Sequence, residues 1–425
     1  MTGRSGRRRI TLGRFAVIGV LALVIAVAAT VIVVRTTGRP SGGERDADAG
    51  SGDPKGRAAH GEVYAYTTER ELRLVRDDHP PVRVRRVFDP TDSAKNDVVW
   101  THDGQWVVLL SDDELLDRPD DVQLITLNAR TGEVQRRPCP YCDSLAPVGD
   151  HDVVALRWDD ETRSTLAVRY DAGDPTDSGT RIAPAADSGG TWQPDLLGGT
   201  RRHLLTGDYV MSGGDPGVEL RLSELTGAAV VGATAVYPRF DSNMYMPTAA
   251  ATIDGRERIA VGERQNPGEC AASFPILLLG TDGQMHGTDQ SGVFPPGYIP
   301  FVTGGIEVHD LWWGLDHHLY ATITSWTCDN SADSEQDRMR LHRPSTLWRL
   351  DGHRWVKAGA KPVTVARRLD RDTTMTLTIP DCVGPTDRAD ATTYCNTGTL
   401  TRQRHGRQTK IADGVIGLSA PPSDR

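Results

Sequence analysis

Beyond residue 34 the sequence has almost no run that keeps a helical period over the ten or more residues a helix needs, so an all-α fold is excluded. No Gly-x-Ser-x-Gly elbow, His-Glu-x-x-His pair or Gly-Lys-Ser/Thr phosphate loop occurs, which removes the commonest hydrolase, zinc-protease and nucleotide-binding signatures. Acidic residues are missing from the first 14 positions. The rest of the chain therefore carries 43 basic against 57 acidic side chains, and a nucleic-acid partner, which needs clustered cations, is not expected.

What is present begins with the one long apolar stretch. Phe15 to Val34 holds 20 uncharged residues, which as a helix at ~1.5 Å per residue spans ~30 Å, the thickness of a bilayer core. Arg4, Arg7, Arg8, Arg9 and Arg14 precede it, so the positive-inside rule puts residues 1–14 in the cytoplasm and makes 15–34 a transmembrane signal anchor. A cleaved signal peptide would have a shorter apolar core with a small-x-small site after it, whereas Ala26-Val27-Ala28 lies inside the run. Residues 35–60, rich in Gly, Ser, Asp and Arg, read as a flexible linker with a reach of about 28 Å. The expected location is the cell membrane, single-pass, with residues 61–421 forming an extracytoplasmic domain.

Within that domain the clearest unit is Val98 to Leu110, two apolar runs joined by Asp103-Gly104, a turn that tolerates φ > 0. Looser copies lie at Asp254-Gly255, Asp316-His317-His318 and Asp351-Gly352. Hairpins repeating every few tens of residues are the signature of a β-propeller. Six blades of four strands can be laid down from Val98, with the first strand of the third near Trp192 and its turn at Gly198-Gly199. Two pieces remain: Glu62 to Phe88 supplies three strands and Gly414 to Ala420 one. Joined, they make a seventh blade and close the ring, since an open propeller leaves bare strand edges. The fold class is all-β, a seven-bladed β-propeller whose termini share one blade, preceded by one transmembrane helix; two packed β-sandwiches are the competing architecture, and six or eight blades the competing counts.

The segment Val99-Trp100-Thr101-His102-Asp103-Gly104-Gln105-Trp106-Val107-Val108 resembles the Trp-Ser-Pro-Asp-Gly-Lys hairpin of Tol-type (TolB-like) periplasmic and WD-repeat-like (WD40-like) seven-bladed propellers, with His102 in place of proline. The resemblance implies a fold and no particular ligand. Composition carries a second resemblance: five Lys against 43 Arg, with abundant Ala, Gly and Asp, is similar to proteins of high-GC bacteria such as actinomycetes.

Turns between first and second strands are tight, whereas the connections between second and third strands are long: 111–121, 208–217, 264–275, 326–345 and 381–396. With the insertion 288–305 they emerge at one end, where binding loops on a rigid scaffold tend to reside. The six cysteines fall at that end, and an even count in an exported domain reads as disulfides. Cys382 with Cys395 and Cys270 with Cys328 are the pairings that proximity in the proposed blades favours. Cys139-Pro140-Tyr141-Cys142 matches a glutaredoxin active-site motif, but Asp143 and Pro147 stand where its helix would begin, so a loop staple is expected. Asp329 to Asp337 lacks the glycine and distal Glu of a calcium loop, and His317-His318 occupies a turn; no metal and no cofactor are expected.

The leading expectation is a non-catalytic propeller that binds an envelope or extracellular protein, peptide or glycan, with Asp112, Asp159, Asp208, Tyr141, Tyr298 and Trp326 as ligand-face candidates. The alternative is an extracytoplasmic hydrolase or lyase. For it, Asp112, Asp113, Asp159, Asp160 and Asp208, which follow the second strands of three successive blades, would converge as an acidic site at the channel mouth.

Overall fold

The computed structural model describes residues 62–422 apart from 78, 87–97, 112–118, 160, 162–163, 183–194, 213–214, 227–228, 238–245, 264–269, 271–272, 295, 300–301, 330, 332–338 and 381–396. The membrane span at 15–34, its flanking tail and the linker lie outside the described residues; among those described, no helix is long and apolar enough to cross a membrane.

The chain begins with a meander of β1 (Val63–Thr68), β2 (Glu71–Arg76) and β3 (His79–Arg85). Five four-stranded antiparallel sheets follow. The first is β4 (Val98–Trp100), β5 (Trp106–Leu110), β6 (Gln123–Asn128) and β7 (Val134–Pro138). The second is β8 (Cys142–Val148), β9 (Asp152–Asp159), β10 (Ser164–Asp171) and β11 (Thr180–Ile182), and the third β12 (Asp195–Gly199), β13 (His203–Ser212), β14 (Asp215–Thr226) and β15 (Ala229–Val236). The fourth is β16 (Thr248–Ile253), β17 (Arg256–Gly262), β18 (Ile276–Leu279) and β19 (Met285–Gly287), and the fifth β20 (Gly304–Trp313), β21 (Leu319–Cys328), β22 (Met339–Asp351) and β23 (Arg354–Lys357). Last come β24 (Val365–Arg368), β25 (Thr373–Thr378), β26 (Gly398–Arg404) and β27 (Arg407–Ser419), which join the opening meander in one seven-stranded sheet of order β24-β25-β26-β27-β1-β2-β3. The fold is all-β, and this succession of meanders fits a β-propeller.

The join is made within one strand. Residues Arg407 to Asp413 of β27 pair with β26, Val415 pairs with both Gly398 of β26 and Thr68 of β1, and Gly417 to Ser419 pair with β1. Gly414 is skipped by the β26 ladder and has φ 68°, so it acts as the bulge at which the strand passes from one partner to the other. Trp100 Nε1, at the end of β4, donates to Ser419 Oγ at 3.1 Å and ties the terminal segment to the first sheet as well.

Alternation explains how the sheets stack. In β9 and β10, Val153, Ala155, Leu166 and Val168 join Val108, Leu110 and Leu124 of the first sheet, while Val154, Leu156 and Ala167 on the other face meet Leu196 and Leu204 of the third. Similar apolar seams join the opening meander to the first sheet, the third to the fourth, the fourth to the fifth, and β25–β27 to β1. The initial strands β4, β8, β12, β16 and β20 each neighbour the next, and β27 neighbours β4.

The expected turn at Gly198-Gly199 is corrected. Both glycines lie inside β12, and the turn is formed by 200–202. A Cβ on Gly199 would sit 2.3 Å from the carbonyl oxygen of Pro147, so this glycine permits close approach of the second sheet's backbone. Trp192 lies outside the described residues.

The turn at 200–202 is locked to the fourth sheet by Glu257, which accepts from the Thr200 hydroxyl, from the Arg202 N–H at 2.9 Å, and meets His203 Nδ1. Burial pushes this carboxyl up, but the hydrogen bonds from His203 and Thr200 outweigh it and hold it below the ordinary glutamate value. The folded protein therefore holds fewer protons than the unfolded chain just below pH 4.5, so the contribution is complete above that pH and is lost as pH falls through the depressed value. Glu257→Gln is expected to cost roughly 1 to 3 kcal/mol at pH 7. Chemical denaturation from pH 7 to pH 3 should show the gap between variant and parent closing; a gap independent of pH would show that the carboxylate charge plays no part.

Candidate functional site

In an antiparallel meander the turn after the first strand and the loop after the second leave from opposite ends. The long connections, the insertion 288–303 and both described disulfides occupy the second of these ends. The disulfides join Cys139 to Cys142 and Cys270 to Cys328; Cys382 and Cys395 lie outside the described residues. Tyr141, at φ 61°, forms the corner of the first disulfide loop. Cys142 opens β8, so the motif leads into a strand and not into the helix whose N-terminus would lower a thiol pKa. Both cysteines are buried in the core between the first and second sheets.

Two expected loop residues are in fact strand residues. Trp326 lies in β21 and is 4% exposed, with its indole N–H donating to the Cys270 carbonyl at 2.8 Å. The expected loop 326–345 is too long at both ends, because β21 runs to Cys328 and β22 begins at Met339. Trp326 thus anchors the Cys270 loop from beneath and offers no surface to a ligand. Asp208 lies inside β13, which pairs with β14 as far as Ser212 and Asp215, and it is buried.

Asp112, Asp113 and Asp160 lie outside the described residues. Asp159, half-buried at the end of β9, accepts from the Glu161 N–H at 3.2 Å. Asp208 keeps different company: it stands opposite Glu219 in the β13–β14 ladder and approaches Arg221 to 2.6 Å in an ion pair not aligned as a hydrogen bond. Burial pushes its carboxyl up, more than Arg221 pulls it down, and Glu219 adds to the rise. Asp195, beside Asp208 across β12 and β13, is crowded by protein, which pushes its carboxyl up, and the Asp143 and Asp208 charges push the same way although the side chain keeps access to solvent. The acidic group is therefore Asp143, Asp195 and Asp208. Asp143 and Asp195 were missed because each stands at the start of a sheet's first strand, next to the connection from the preceding sheet, whose neighbours in space are invisible in one dimension.

No protein family model matches the chain, and no curated protein matches it. Among solved structures, the β-propeller domain of the Trilobed protease from Pyrococcus furiosus is similar over 82% of this chain and 98% of its own, at 11% identity and TM-score 0.33. TolB from Acinetobacter baumannii matches over 62% of this chain and 60% of its own at 11% identity and TM-score 0.36. Oligogalacturonate lyase from Vibrio parahaemolyticus matches over 84% and 87% at 9% identity and TM-score 0.41. Such distant likenesses assign neither activity nor ligand.

The same end carries exposed apolar side chains. Ile299, Val302 and Leu341 are 55%, 52% and 47% exposed, among the few large apolar side chains so open to solvent in the described residues. Ile299 and Val302 belong to a turn closed by the Val302 N–H to Ile299 carbonyl bond at 3.1 Å and by the Ile299 N–H donating to Thr303 Oγ1 at 2.8 Å. That turn is fastened to β21 by the Cys328 N–H, which donates to the Thr303 carbonyl at 2.9 Å. Leu341 stands opposite Trp326 in the ladder. Tyr298, half-buried, is stacked on Phe294 with centroids 4.1 Å apart within the same insertion.

Proposed function

We propose that the protein is a seven-bladed propeller, tethered outside the cytoplasmic membrane by residues 15–34, that binds a protein or peptide partner through its loop-bearing end. The change of partner along β27 supports this blade count: its end with β1, β2 and β3 would make one blade, and β24, β25, β26 with the first part of β27 another. The single observation that carries the binding reading is the exposure of Ile299, Val302 and Leu341, apolar side chains on segments bonded to β21, whose end a disulfide and a buried tryptophan tie to the Cys270 segment. Exposed apolar surface on a stiff support favours association, because its burial is favourable and little ordering entropy is lost.

A photo-crosslinking residue at position 299 in the full chain, expressed in its native envelope, should capture one dominant protein. Ile299→Asp with Val302→Asp should reduce recovery of that protein at least tenfold without changing the melting temperature. Equal recovery with the double variant would overturn the reading. The hydrolase or lyase alternative rests on Asp195, whose raised carboxyl beside Asp143 and Asp208 suits general acid chemistry.

A further inference from the structure

Apolar clusters fill the seams between successive sheets with one exception: among the described residues no such cluster joins β20–β23 to β24–β26. The strands facing this seam explain the exception. In β21, Leu319, Ala321 and Ile323 pack toward the fourth sheet, which leaves Tyr320, Thr322 and Thr324 on the other face. In β25, Met375 and Leu377 pack toward β1 and leave Thr374, Thr376 and Thr378 opposite. The two sheets are joined by polar contacts: Thr322 Oγ1 donates to the Thr364 carbonyl and Ser345 Oγ to the Val363 carbonyl, each at 2.6 Å, and Arg367 pairs with Asp310.

A cleft of about 380 Å³ opens in this seam toward the end with the short turns, opposite the loop-bearing end. Its size lies in the range of small-molecule sites, about 300 to 1,000 Å³. Four cations line it, Arg349, Lys357, Arg368 and Arg371, and no carboxylate of the described residues lies within ion-pair distance of any of them. Arg367 is different: it is spent on Asp310 and on the face of Trp312, 4.8 Å from the ring centroid, while Tyr320 stacks on the same indole at 5.7 Å. This stack forms a rigid wall. Asp316 is occupied by the Tyr320 hydroxyl at 2.8 Å, which Arg349 also approaches, and the Asp370 carboxylate accepts from the Asp372 and Thr373 N–H groups, each at 2.7 Å. The Arg349 Nε–H is buried with no acceptor, and Arg368 is oriented by donating to the Asp370 carbonyl at 3.0 Å and the Arg371 carbonyl at 2.8 Å.

We propose that this cleft binds a phosphate-bearing small molecule. Four positive charges around one small cavity, none ion-paired with a carboxylate of the described residues in a chain of net charge −9, call for more than a single carboxylate, and guanidinium groups match tetrahedral oxyanions with paired N–H donors. Leu347, Val356 and Ala358 give the cleft an apolar side against which the remainder of such a molecule would rest.

The test is calorimetric titration of the full chain with inorganic phosphate, pyrophosphate, sulfate and citrate at fixed ionic strength. Pyrophosphate should bind most tightly. Arg371→Gln, which removes a side chain that holds no turn together, should weaken it several-fold, and Arg368→Gln with Arg371→Gln at least tenfold, with melting temperatures checked in parallel. The pair Arg83→Gln and Arg85→Gln, on exposed positions of β3, removes the same charge elsewhere and should leave binding within twofold. Absence of pyrophosphate binding at millimolar concentration, equal loss in the β3 pair, or citrate binding as tight as pyrophosphate would each overturn the proposal.

Discussion

Deletion of Gly414 to Arg425 is expected to cost more stability than any other change considered, lowering the melting temperature by at least about 10 °C or abolishing a cooperative transition. The segment removed carries Val415 and Leu418, both buried against Tyr64, Tyr66, Leu377 and Leu400. Losing either side chain alone costs roughly 2 to 5 kcal/mol. The deletion also strips β1 of its partner from Ala65 to Thr68 and breaks the Trp100–Ser419 hydrogen bond, leaving β1 as an open strand edge. Leu418→Ala, which keeps the ladder, separates the two effects and should lose only the side-chain part. Calorimetry of the full-length and truncated chains is the check. A truncated protein that melts within a degree or two of the parent would mean that the shared strand does not close the domain.

Replacing Cys270 and Cys328 with alanine should be the next most damaging change. The bond closes a loop with a sequence separation of 58, and cross-linking a loop of that length is worth about 4 kcal/mol through the unfolded chain. It also holds the Cys270 segment over Trp326 and the end of β21 beside Thr303. The variant should therefore lose partner capture through Ile299 and Val302 even at temperatures where the domain remains folded. Cys139 and Cys142 offer the internal comparison. Their separation of three restricts the unfolded chain weakly, about 2 kcal/mol or less. From the loop alone the cost would be small, but both sulfurs are buried in the core between the first and second sheets, so alanine adds a cavity there. Denaturation curves of the two double variants rank the effects; equal losses would show that burial, not loop closure, sets the cost.

The sequence alone determined the hairpin unit, because a period-two pattern interrupted by Asp-Gly is a local signal, and strands β4 and β5 fill the expected Val98 to Leu110. It also determined the complementarity of the two leftover pieces, since counting strands needs no coordinates. Extensions such as β21 through Cys328 were decided only in three dimensions: Trp326 and Asp208 sit at the ends of hairpins whose lengths are set by pairing with the neighbouring strand and by burial under a loop from elsewhere in the chain. The glycines at 198–199 looked like a turn because glycine is the usual turn residue; the approach of Pro147 that requires Gly199 comes from another sheet. Tyr320, Thr322 and Thr324 alternate visibly with Leu319, Ala321 and Ile323. Period two says only that one face of a strand is polar. Whether that face meets water or a second threonine-lined sheet, and so encloses a cationic cleft, depends on which strands the ring brings side by side, and that information resides in tertiary contacts alone.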